Sequence, residues 1–420
     1  MSHPLHHRVE KTTVARVCAE THRDARAVPV LILLEVEIAR PREEPAGQRM
    51  TCWRALDVRE MNSRTRLQVA RAGGAELADL IAEGDKGCAM QAMMDGTRAI
   101  VAQLYTAGKL DGVLAVGGGQ GTAIGTAAMQ TLPIGVPKLM VSTITSGPRI
   151  FEPYVGTTDM TLMHSVADIA GLNAITRRVF TNAAAAVVGM AEVSGAIEQS
   201  SRRVVGTTML GLTTPCVLHA RECLEGWGYE VVTFHPNGTG GRCLERLVDE
   251  GLIQGVMDLS LQELTGYVCH GLFDAGPDRM KAAARRGLPE VIVPGGTDYI
   301  VLGPMSWLTD EQHNRPLIVH NPNITLVRTS KDEMAQIGQL MAQRLKESQG
   351  PAAVLIPTRG FSYSDRPGHP FYDPEADTAL VAALEANLSS RVELLKIDAH
   401  VNDTTFAEAA AAKMRELMEK

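Results

Sequence analysis

The stretch 111–122, DGVLAVGGGQGT, decides the fold of the first half of the chain. Its apolar part, residues 111–116, has the length and the aliphatic content of a buried strand. A glycine-rich turn follows at once, and small residues then continue in a helical pattern to about residue 130. A strand, a glycine turn and a helix in this order are typical of a doubly wound α/β domain.

The same alternation of short apolar runs and helical patterns continues on both sides of this stretch. Further strands are predicted at residues 138–141, 204–208, 229–234, 255–259, 290–293, 352–356 and 392–397. Helices are predicted at residues 75–82, 89–107, 173–197, 240–250, 262–266, 277–286, 331–347, 374–388 and 404–418. Single helices between strands imply right-handed crossovers and parallel sheets. The sequence therefore predicts an α/β protein with two doubly wound, mostly parallel-sheet (Rossmann-like) domains and an interdomain cleft.

A polar segment at residues 198–203 is the predicted boundary between the two domains. Residues 67–200 are predicted to form a nucleotide-binding domain around the glycine-rich loop, and residues 201–420 a second α/β domain. Residues 1–66 lack this alternation apart from one candidate strand at residues 28–36. We therefore expect an atypical N-terminal segment there.

The composition excludes several classes of protein. Hydrophobic residues make up 45% and charged residues 21% of the 420 residues, which is typical of a globular chain. A formal net charge of −7 and only 4% aromatic residues argue against nucleic acid as a partner. The longest apolar run, residues 28–34, is far shorter than the ~20 residues of a membrane span, so no membrane partner is expected. Seven cysteines without a CxxC pair favour reduced thiols and a cytoplasmic location.

Two strand ends in the first half carry candidate ligand-binding residues. The loop after the first of these strands offers Gly117, Gly118, Gly119, Gln120, Gly121 and Thr122. Glycine lets backbone N–H groups approach a phosphate, and the start of a helix adds partial positive charge. The loop is neither a Walker A motif nor a clean dinucleotide fingerprint, and a tight turn is the alternative. The next strand end offers Ser142, Thr143, Ser146 and Gly147, for a second phosphate or a ribose, or for an ordinary Ser/Thr turn.

The second half repeats this logic in the sequence HPNGTGG at residues 235–241. Its candidate anion-binding residues are Gly238, Thr239, Gly240 and Gly241, although Asn-Gly is also a plain turn signal. His235 is a candidate catalytic acid or base, with an ordinary hydrogen-bonded histidine as the alternative. A third strand-end loop offers Gly295, Gly296 and Thr297 as further candidates.

Charged residues at other strand ends are candidates for holding an ion. Asp258, Glu263 and Asp298 could hold Mg²⁺ against phosphate oxygens, or could cap a helix instead. Arg242, Arg359 and Arg366 could clamp a phosphate or a carboxylate, or could face water and form surface salt bridges. The residues therefore leave two functions open: nucleotide binding, and a metabolic enzyme acting on a phosphorylated or carboxylated small molecule in the cleft.

Several long motifs match, in order, those of a known family. They include the segment from residue 111 to 147, the sequence PYVGTTDMTLMHSVADIAGLN from residue 153, and HPNGTGG. Further on are PGGTDYIVLGP from residue 294, IPTRGFS from residue 356 and HPFYDPEAD from residue 369. From about residue 75 to the C-terminus, the chain resembles the ATP-binding domain family typified by the N-terminal half of the tomato mosaic virus resistance protein.

This resemblance implies a two-domain α/β protein that forms a homodimer and binds ATP with Mg²⁺. In the plant member the domain binds the helicase region of a viral replicase, so a protein partner stays open here. The motifs imply no reaction, and whether ATP is hydrolysed stays open as well. Family members usually carry FHATGTGG where this chain has FHPNGTGG, which keeps the histidine and the glycines. The family also begins with a loop of the type VGTxDTKGxE, which residues 1–66 lack.

Overall fold

The computed structural model describes residues 30–34, 66–145, 152–170, 172–193 and 200–420. The chain divides into two compact units, Met1–Glu198 and Gln199–Lys420. Each unit has its own sheet and its own clusters of buried apolar side chains.

The sheet of the first unit contains β1 (Val30–Leu34), β2 (Gly112–Gly117), β3 (Lys138–Ser142) and β4 (Thr161–His164), in this spatial order. β1 runs antiparallel to β2, while β2, β3 and β4 run parallel to one another. The strands predicted at the positions of β1, β2 and β3 are confirmed, whereas the sequence pattern gives no indication of β4. Because the three parallel strands point the same way, their carboxyl ends lie along one edge of the sheet.

Helices cover both faces of this sheet. The helices of the first unit are α1 (Arg66–Ala72), α2 (Leu77–Glu83), α3 (Lys86–Thr106), α4 (Gly119–Met129), α5 (Glu152–Val155) and α6 (Ala174–Val193). Residues of α4 pack with Ala115 and Met140 on one face, and residues of α6 pack with Leu114 and Val141 on the other. A Cβ at Gly125 would lie 2.7 Å from the Ala115 Cβ, so α4 needs glycine there to lie close to β2.

The second unit is built on a parallel sheet. Its strands are β5 (Val204–Thr208), β6 (Glu230–Phe234), β7 (Gly255–Asp258), β8 (Glu290–Ile292), β9 (Tyr299–Leu302), β10 (Leu317–Asn321), β11 (Ile324–Arg328), β12 (Ala352–Pro357) and β13 (Glu393–Ile397). Six of them form one sheet in the order β13-β12-β8-β7-β5-β6, with every neighbouring pair parallel. The order reverses between β5 and β7, which is where ligands bind in many open α/β sheets.

Helices also lie on both faces of the six-stranded sheet. They are α7 (Thr214–Gly226), α8 (Thr239–Asp249), α9 (Gln262–Cys269), α10 (Ala282–Arg286), α11 (Asp310–His313), α12 (Lys331–Leu345), α13 (Pro374–Asn387) and α14 (Thr404–Glu419). Residues of α7 and α14 pack with Val205 and Met257 on one face, whereas α12 and α13 pack with Ile292 and Val354 on the other. The doubly wound α/β class predicted from the sequence is therefore confirmed. Among the described residues, no helix combines the length and the apolar character that crossing a membrane requires.

Two features of the second unit differ from the prediction. β9, β10 and β11 form a separate antiparallel sheet in the order β10-β11-β9, and the alternating pattern gives no indication of it. The helix predicted at residues 277–286 is shorter, because α10 begins only at Ala282. Met280 has a left-handed φ of 64°, so a regular helix cannot continue through this residue. The preceding Arg279 is fully buried.

Candidate functional site

The first glycine loop, residues 117–122, joins β2 to α4. Gly118 is the N-cap of α4 and has no side chain with which to cap it. A Cβ at Gly117 would lie 2.6 Å from the Gly121 Cα, so the strand end and the first helical turn are in direct backbone contact. At Gly119, by contrast, no described atom lies within 4 Å of where a Cβ would be. The tip of the loop, Gly119 and Gln120, is exposed.

Most backbone amides at the tip of this loop are open, meaning that they donate no hydrogen bond within the described residues. Thr122 N donates to Gly118 O across 2.8 Å. The amides of Gly119, Gln120 and Gly121 have no acceptor within the described part of the chain, as expected for the first turn of an uncapped helix. The positive end of the helix dipole lies at the same place. The loop therefore presents backbone donors where an anion would be stabilised.

The Thr122 hydroxyl is engaged with protein groups in this structure. Thr122 is buried, and its Oγ1 lies 2.8 Å from Gly118 O and 2.6 Å from Ser142 Oγ. Ser142 Oγ also accepts a bond from Ile144 N across 3.1 Å. These two hydroxyls therefore join α4 to the end of β3.

Thr143 is the candidate of the second strand end that lies beside the loop. A Cβ at Gly118 would be 3.7 Å from Thr143 Oγ1, and Thr143 is only half-buried. The other two candidates of this strand end, Ser146 and Gly147, lie outside the described residues. The next strand end along the same edge is His164, whose register partner on β3 is Ser142. His164 is exposed, and the sequence gives no signal for it because β4 is not predicted.

The second glycine loop, residues 238–241, is closed by a side chain of the protein. Glu263 Oε1 accepts hydrogen bonds from Gly238 N across 2.7 Å and from Gly241 N across 2.9 Å. Gly240 N donates to Asn237 Oδ1 across 3.2 Å. The amides of Gly238, Gly240 and Gly241 therefore all donate to side chains of the protein itself in this structure.

The remaining polar groups of this loop also have partners. Thr239 Oγ1 lies 3.4 Å from Arg242 Nη2, and Arg242 Nε donates to Gly238 O across 3.1 Å. Arg242 therefore braces the first turn of α8 and is not a free anion clamp. His235 is exposed, its Nδ1 lies 3.2 Å from Met209 O, and its ring packs edge-on against Phe273. The structure thus shows a hydrogen-bonded histidine and gives no partner that would make it a catalytic base.

Asp258 and Glu263 bind a guanidinium instead of a metal ion. Arg279 Nη1 lies 2.6 Å from Asp258 Oδ2, and Arg279 Nε donates to Glu263 Oε2 across 2.7 Å. Glu245 Oε1 is a further carboxylate oxygen, 3.3 Å from Arg279 Nη1. Burial alone would lower the pKa of Arg279, but the charges of Asp258 and Glu263 raise it well above its ordinary value. The expected Mg²⁺ is thus replaced by an internal cation in this structure.

The crevice where the strand order reverses is filled with hydroxyl groups. Thr208 Oγ1 donates to Asp258 Oδ1 across 2.5 Å, and Ser260 N donates to Thr208 Oγ1 across 3.0 Å. Thr213 Oγ1 and Ser260 Oγ are 2.6 Å apart. All of these side chains are buried, so the crevice between β5 and β7 holds the protein's own polar groups.

The third glycine loop is closed by backbone carbonyls. Gly296 N donates to Phe361 O across 2.8 Å, and Thr297 Oγ1 donates to Pro294 O across 2.8 Å. A Cβ at Gly295 would collide with Leu259 O. In this structure Gly295, Gly296 and Thr297 therefore make packing and turn contacts within the protein.

A second buried group of carboxylates surrounds Arg328. Asp377 Oδ1 lies 2.7 Å from Arg328 Nη2, and Asp298 and Asp365 are fully buried nearby. Burial, and then the charge of Asp365, raise the pKa of Asp298 to about 7. The same two causes raise the pKa of Asp377 to about 9, against the opposing effect of Arg328. This group holds the loops after β8 and β12 against α13. Asp298 and Asp377 lie in the motifs PGGTDYIVLGP and HPFYDPEAD, but neither motif indicates that the two residues meet at Arg328.

The two arginines proposed as anion clamps are engaged with protein groups. Arg359 donates from Nε and Nη2 to the two carboxylate oxygens of Asp398, each across 2.8 Å. Arg366 stacks over the Tyr363 ring at 4.2 Å and donates to His369 Nε2 across 3.0 Å. Within the described residues, no group of three or more His, Cys, Asp or Glu side chains is placed to hold a metal ion.

These features define the class of the protein: an α/β chain of two units with parallel sheets, whose first unit carries one open glycine loop. Residues 55–196 match the model of the N-terminal domain of the uncharacterised protein family UPF0261, and residues 202–418 match its C-terminal domain. The chain belongs to the UPF0261 family.

Relatives of known sequence support this assignment. A UPF0261 protein of Clostridium tetani is 39% identical over 354 residues, which are 84% of this chain and 87% of that protein. A UPF0261 protein of Rhizobium meliloti is 41% identical over 347 residues, or 82% and 85% of the two chains. The ToMV resistance protein Tm-1(GCR237) of Solanum lycopersicum is 37% identical over 320 residues, or 74% of this chain and 42% of that protein. The resemblance to the tomato virus-resistance family is thereby confirmed.

Proposed function

We propose that this chain binds a nucleoside triphosphate such as ATP, with the polyphosphate on the first glycine loop. The observation that carries the proposal is the set of open amides at Gly119, Gln120 and Gly121, at the positive end of α4. Backbone N–H groups at a helix N-terminus are a recurrent site for phosphate. The half-buried Thr143 hydroxyl beside Gly118 would add a donor for a second phosphate or a ribose.

The charge around the loop supports an anionic ligand. The segment 112–145 contains no aspartate or glutamate, and Lys138 is its only charged residue. The Lys138 ammonium is buried and pairs with Asp159 across 2.7 Å, so it stabilises the sheet and not the ligand. A phosphate at the loop would meet backbone donors without a nearby carboxylate from this segment to repel it.

Magnesium would reach this site as part of the nucleotide complex. The strand ends around the first loop offer amides and hydroxyls and no carboxylate from the segment 112–145, whereas Mg²⁺ prefers carboxylate and phosphate oxygens. The phosphates would therefore supply the ligands of the metal together with water. The loop also lacks the lysine of a Walker A motif, so the proposal covers binding and includes no hydrolytic step.

A cytoplasmic location and a homodimer are part of the proposal. The described cysteines Cys88, Cys216, Cys223, Cys243 and Cys269 are free thiols, as expected where thiols stay reduced. A protein partner is proposed by analogy with the tomato relative, whose name describes virus resistance. The alternative of a metabolic enzyme gains no support from His235, Arg359 or Arg366, because their described contacts are to protein groups.

The experiment is calorimetric titration of the purified chain with Mg-ATP, compared with the Gly119→Asp variant. A Cβ at position 119 meets no atom within 4 Å beyond its chain neighbours and its own helix backbone, and an aspartate there places a negative charge where the phosphates would lie. We expect at least a tenfold loss of affinity, or about 1.4 kcal/mol. Stability should be kept, because an acidic residue in the first helical turn is favourable.

Gly189→Asp is the matched control. Gly189 lies on α6, on the opposite face of the sheet, and a Cβ there also meets no atom within 4 Å. This variant should bind Mg-ATP like the unmodified chain. The proposal fails if the unmodified chain binds no nucleotide, and its placement fails if Gly119→Asp and Gly189→Asp bind ATP equally well.

A further inference from the structure

The contacts of Glu263 resemble those of a bound anion. One of its oxygens accepts from two backbone amides of the second glycine loop, Gly238 N and Gly241 N. The other lies 2.7 Å from Arg279 Nε. Backbone amides at a helix start, together with an arginine, are the donors that proteins commonly use for phosphate and carboxylate ligands.

The glycines of this loop are required by the carboxylate. A Cβ at Gly241 would collide with Glu263 Oε2 and with Arg279 Nε. Gly238 adopts φ 96°, a conformation that only glycine takes without strain, and this aims its N–H at Glu263. The loop therefore has the shape of an anion site, and the side chain of Glu263 fills it.

The site contains one donor that Glu263 leaves unused. Arg279 Nη2 has no hydrogen-bond partner among the residues that the structure describes, although the Arg279 side chain is only 1% exposed. A buried guanidinium N–H without an acceptor is costly, and an anion larger than one carboxylate could accept from it. This orphaned donor is independent of the loop geometry and points to the same kind of ligand.

Glu263 is held in the site through its own helix. It lies in the first turn of α9, where Leu261 N donates to Gly295 O across 2.8 Å and Gln262 Nε2 donates to Tyr299 O across 2.6 Å. Glu263 is fully buried. Its release would require the start of α9 to move, so the native chain keeps the loop closed.

We infer that the second glycine loop is an anion site autoinhibited by Glu263, and that inorganic phosphate or a small carboxylate binds there once this side chain is removed. The native chain would then bind no anion at the second loop, because Glu263 fills it. The inference concerns the second unit and holds whether or not the first loop binds ATP.

The test uses the full chain with Gly119→Asp, so that phosphate cannot act through the first loop. Glu263→Ala, Glu263→Gln and Glu230→Ala are added separately to this background, and thermal unfolding is followed in phosphate, formate and chloride at matched ionic strength. Glu263→Ala empties the site, whereas Glu263→Gln still fills it without the charge. Glu230 is an exposed residue of β6 and controls for the loss of a carboxylate elsewhere.

We expect a saturable rise in unfolding temperature, on the order of 3 °C, for Glu263→Ala in phosphate and in formate relative to chloride. The other two variants should respond only as the background does. Phosphorus NMR of inorganic phosphate should show line broadening with Glu263→Ala that exceeds the broadening with Glu263→Gln. Equal responses of all variants to phosphate would overturn the inference, because phosphate stabilises proteins in general.

If Glu263→Ala does not fold, two further measurements decide whether the inference is right. Phosphate or formate should restore the folded far-ultraviolet circular dichroism of this variant, whereas chloride should not. Glu263→Asp, which withdraws the carboxylate by one methylene, should fold and show a smaller phosphate response. If neither anion restores folding and Glu263→Asp does not respond, the inference is wrong.

Discussion

The first and second glycine loops have similar sequences and opposite states. Both follow a parallel strand, both precede a helix, and both place glycines at the helix start. In the first loop the amides of Gly119 and Gln120 are open, whereas in the second Glu263 occupies those of Gly238 and Gly241. The difference comes from outside the loops, because the Glu263 side chain, which belongs to α9, enters only the second loop. Glycine content alone therefore does not distinguish a ligand loop from a structural loop.

The largest expected effect concerns the cation that holds the second loop closed. Arg279→Met would leave Asp258 and Glu263 buried without their counter-charge, so the free energy of unfolding should fall by about 3–5 kcal/mol. Urea unfolding measures this change. Arg359→Met, which removes the solvent-exposed ion pair with Asp398, is the control and should have little effect. Similar losses in both variants would contradict the role of Arg279.

A smaller change in stability is expected when one glycine of each loop is replaced by alanine. Gly241→Ala should destabilise the protein by about 2–3 kcal/mol, because its methyl group meets Glu263 and Arg279 in a filled site. Gly119→Ala should leave stability unchanged or slightly raised, because no described atom lies near its Cβ position. Urea unfolding of the two variants gives the comparison directly. Equal destabilisation would show that the first loop is as tightly packed as the second.

The carboxylates around Arg328 should make the stability of the protein depend on pH. Asp298 and Asp377 have raised pKa values, about 7 and about 9, so the folded state binds protons that the unfolded state releases. Their contribution is complete below the unfolded pKa near 3.8 and is lost as the pH rises through the folded values. The free energy of unfolding should therefore fall as the pH rises from 5 to 9.

Asp377→Asn isolates this effect, since asparagine cannot release a proton. The decline in stability with pH should be smaller in this variant than in the unmodified chain, as measured by urea unfolding at several pH values. Burial also raises the pKa of Glu290 to about 7. Because Glu290 is present in both proteins, its effect cancels when the two pH profiles are compared. An unchanged pH profile in Asp377→Asn would show that the group around Arg328 holds no proton.

The smallest expected effect tests the internal role of the hydroxyl pair behind the first loop. Thr122→Val removes the bonds of Oγ1 to Gly118 O and Ser142 Oγ while keeping the shape of the side chain. The free energy of unfolding should fall by about 1 kcal/mol. Mg-ATP affinity, measured by calorimetry, should change less than twofold. A large loss of affinity would instead make Thr122 a ligand-binding residue.

Strands were predictable where a local apolar run was enough to define them. Residues 204–208 are predicted as a strand, and β5 has those ends: four of the five residues are β-branched Val or Thr, which favour strands, and all five are buried. The antiparallel sheet of β9, β10 and β11 was not predictable in this way. The apolar runs of β10 and β11 are present, but helix–strand alternation gives no reason to pair them with each other or with β9.

In the candidate site, too, local features were predictable from the sequence and contacts between distant residues were not. The open amides of the first loop follow from a strand, a glycine turn and an uncapped helix, all within one short segment. The closure of the second loop depends on Glu263, which lies 25 positions from Gly238 along the chain. A local pattern can show that Glu263 follows a strand, but not that α9 aims it at another strand's loop. The pairing of Asp258 and Glu263 with Arg279 was not predictable either, because Arg279 lies 16 positions beyond Glu263 along the chain.

The buried Arg279 also has a consequence for how this unit opens. It contacts Glu245 on α8, Asp258 on β7 and Glu263 on α9, and Glu245 in turn accepts from the amides of Met280 and Ala282. Amide hydrogens from separate parts of the chain thus depend on one cation. They should exchange with deuterated solvent at a common rate, as a single cooperative unit.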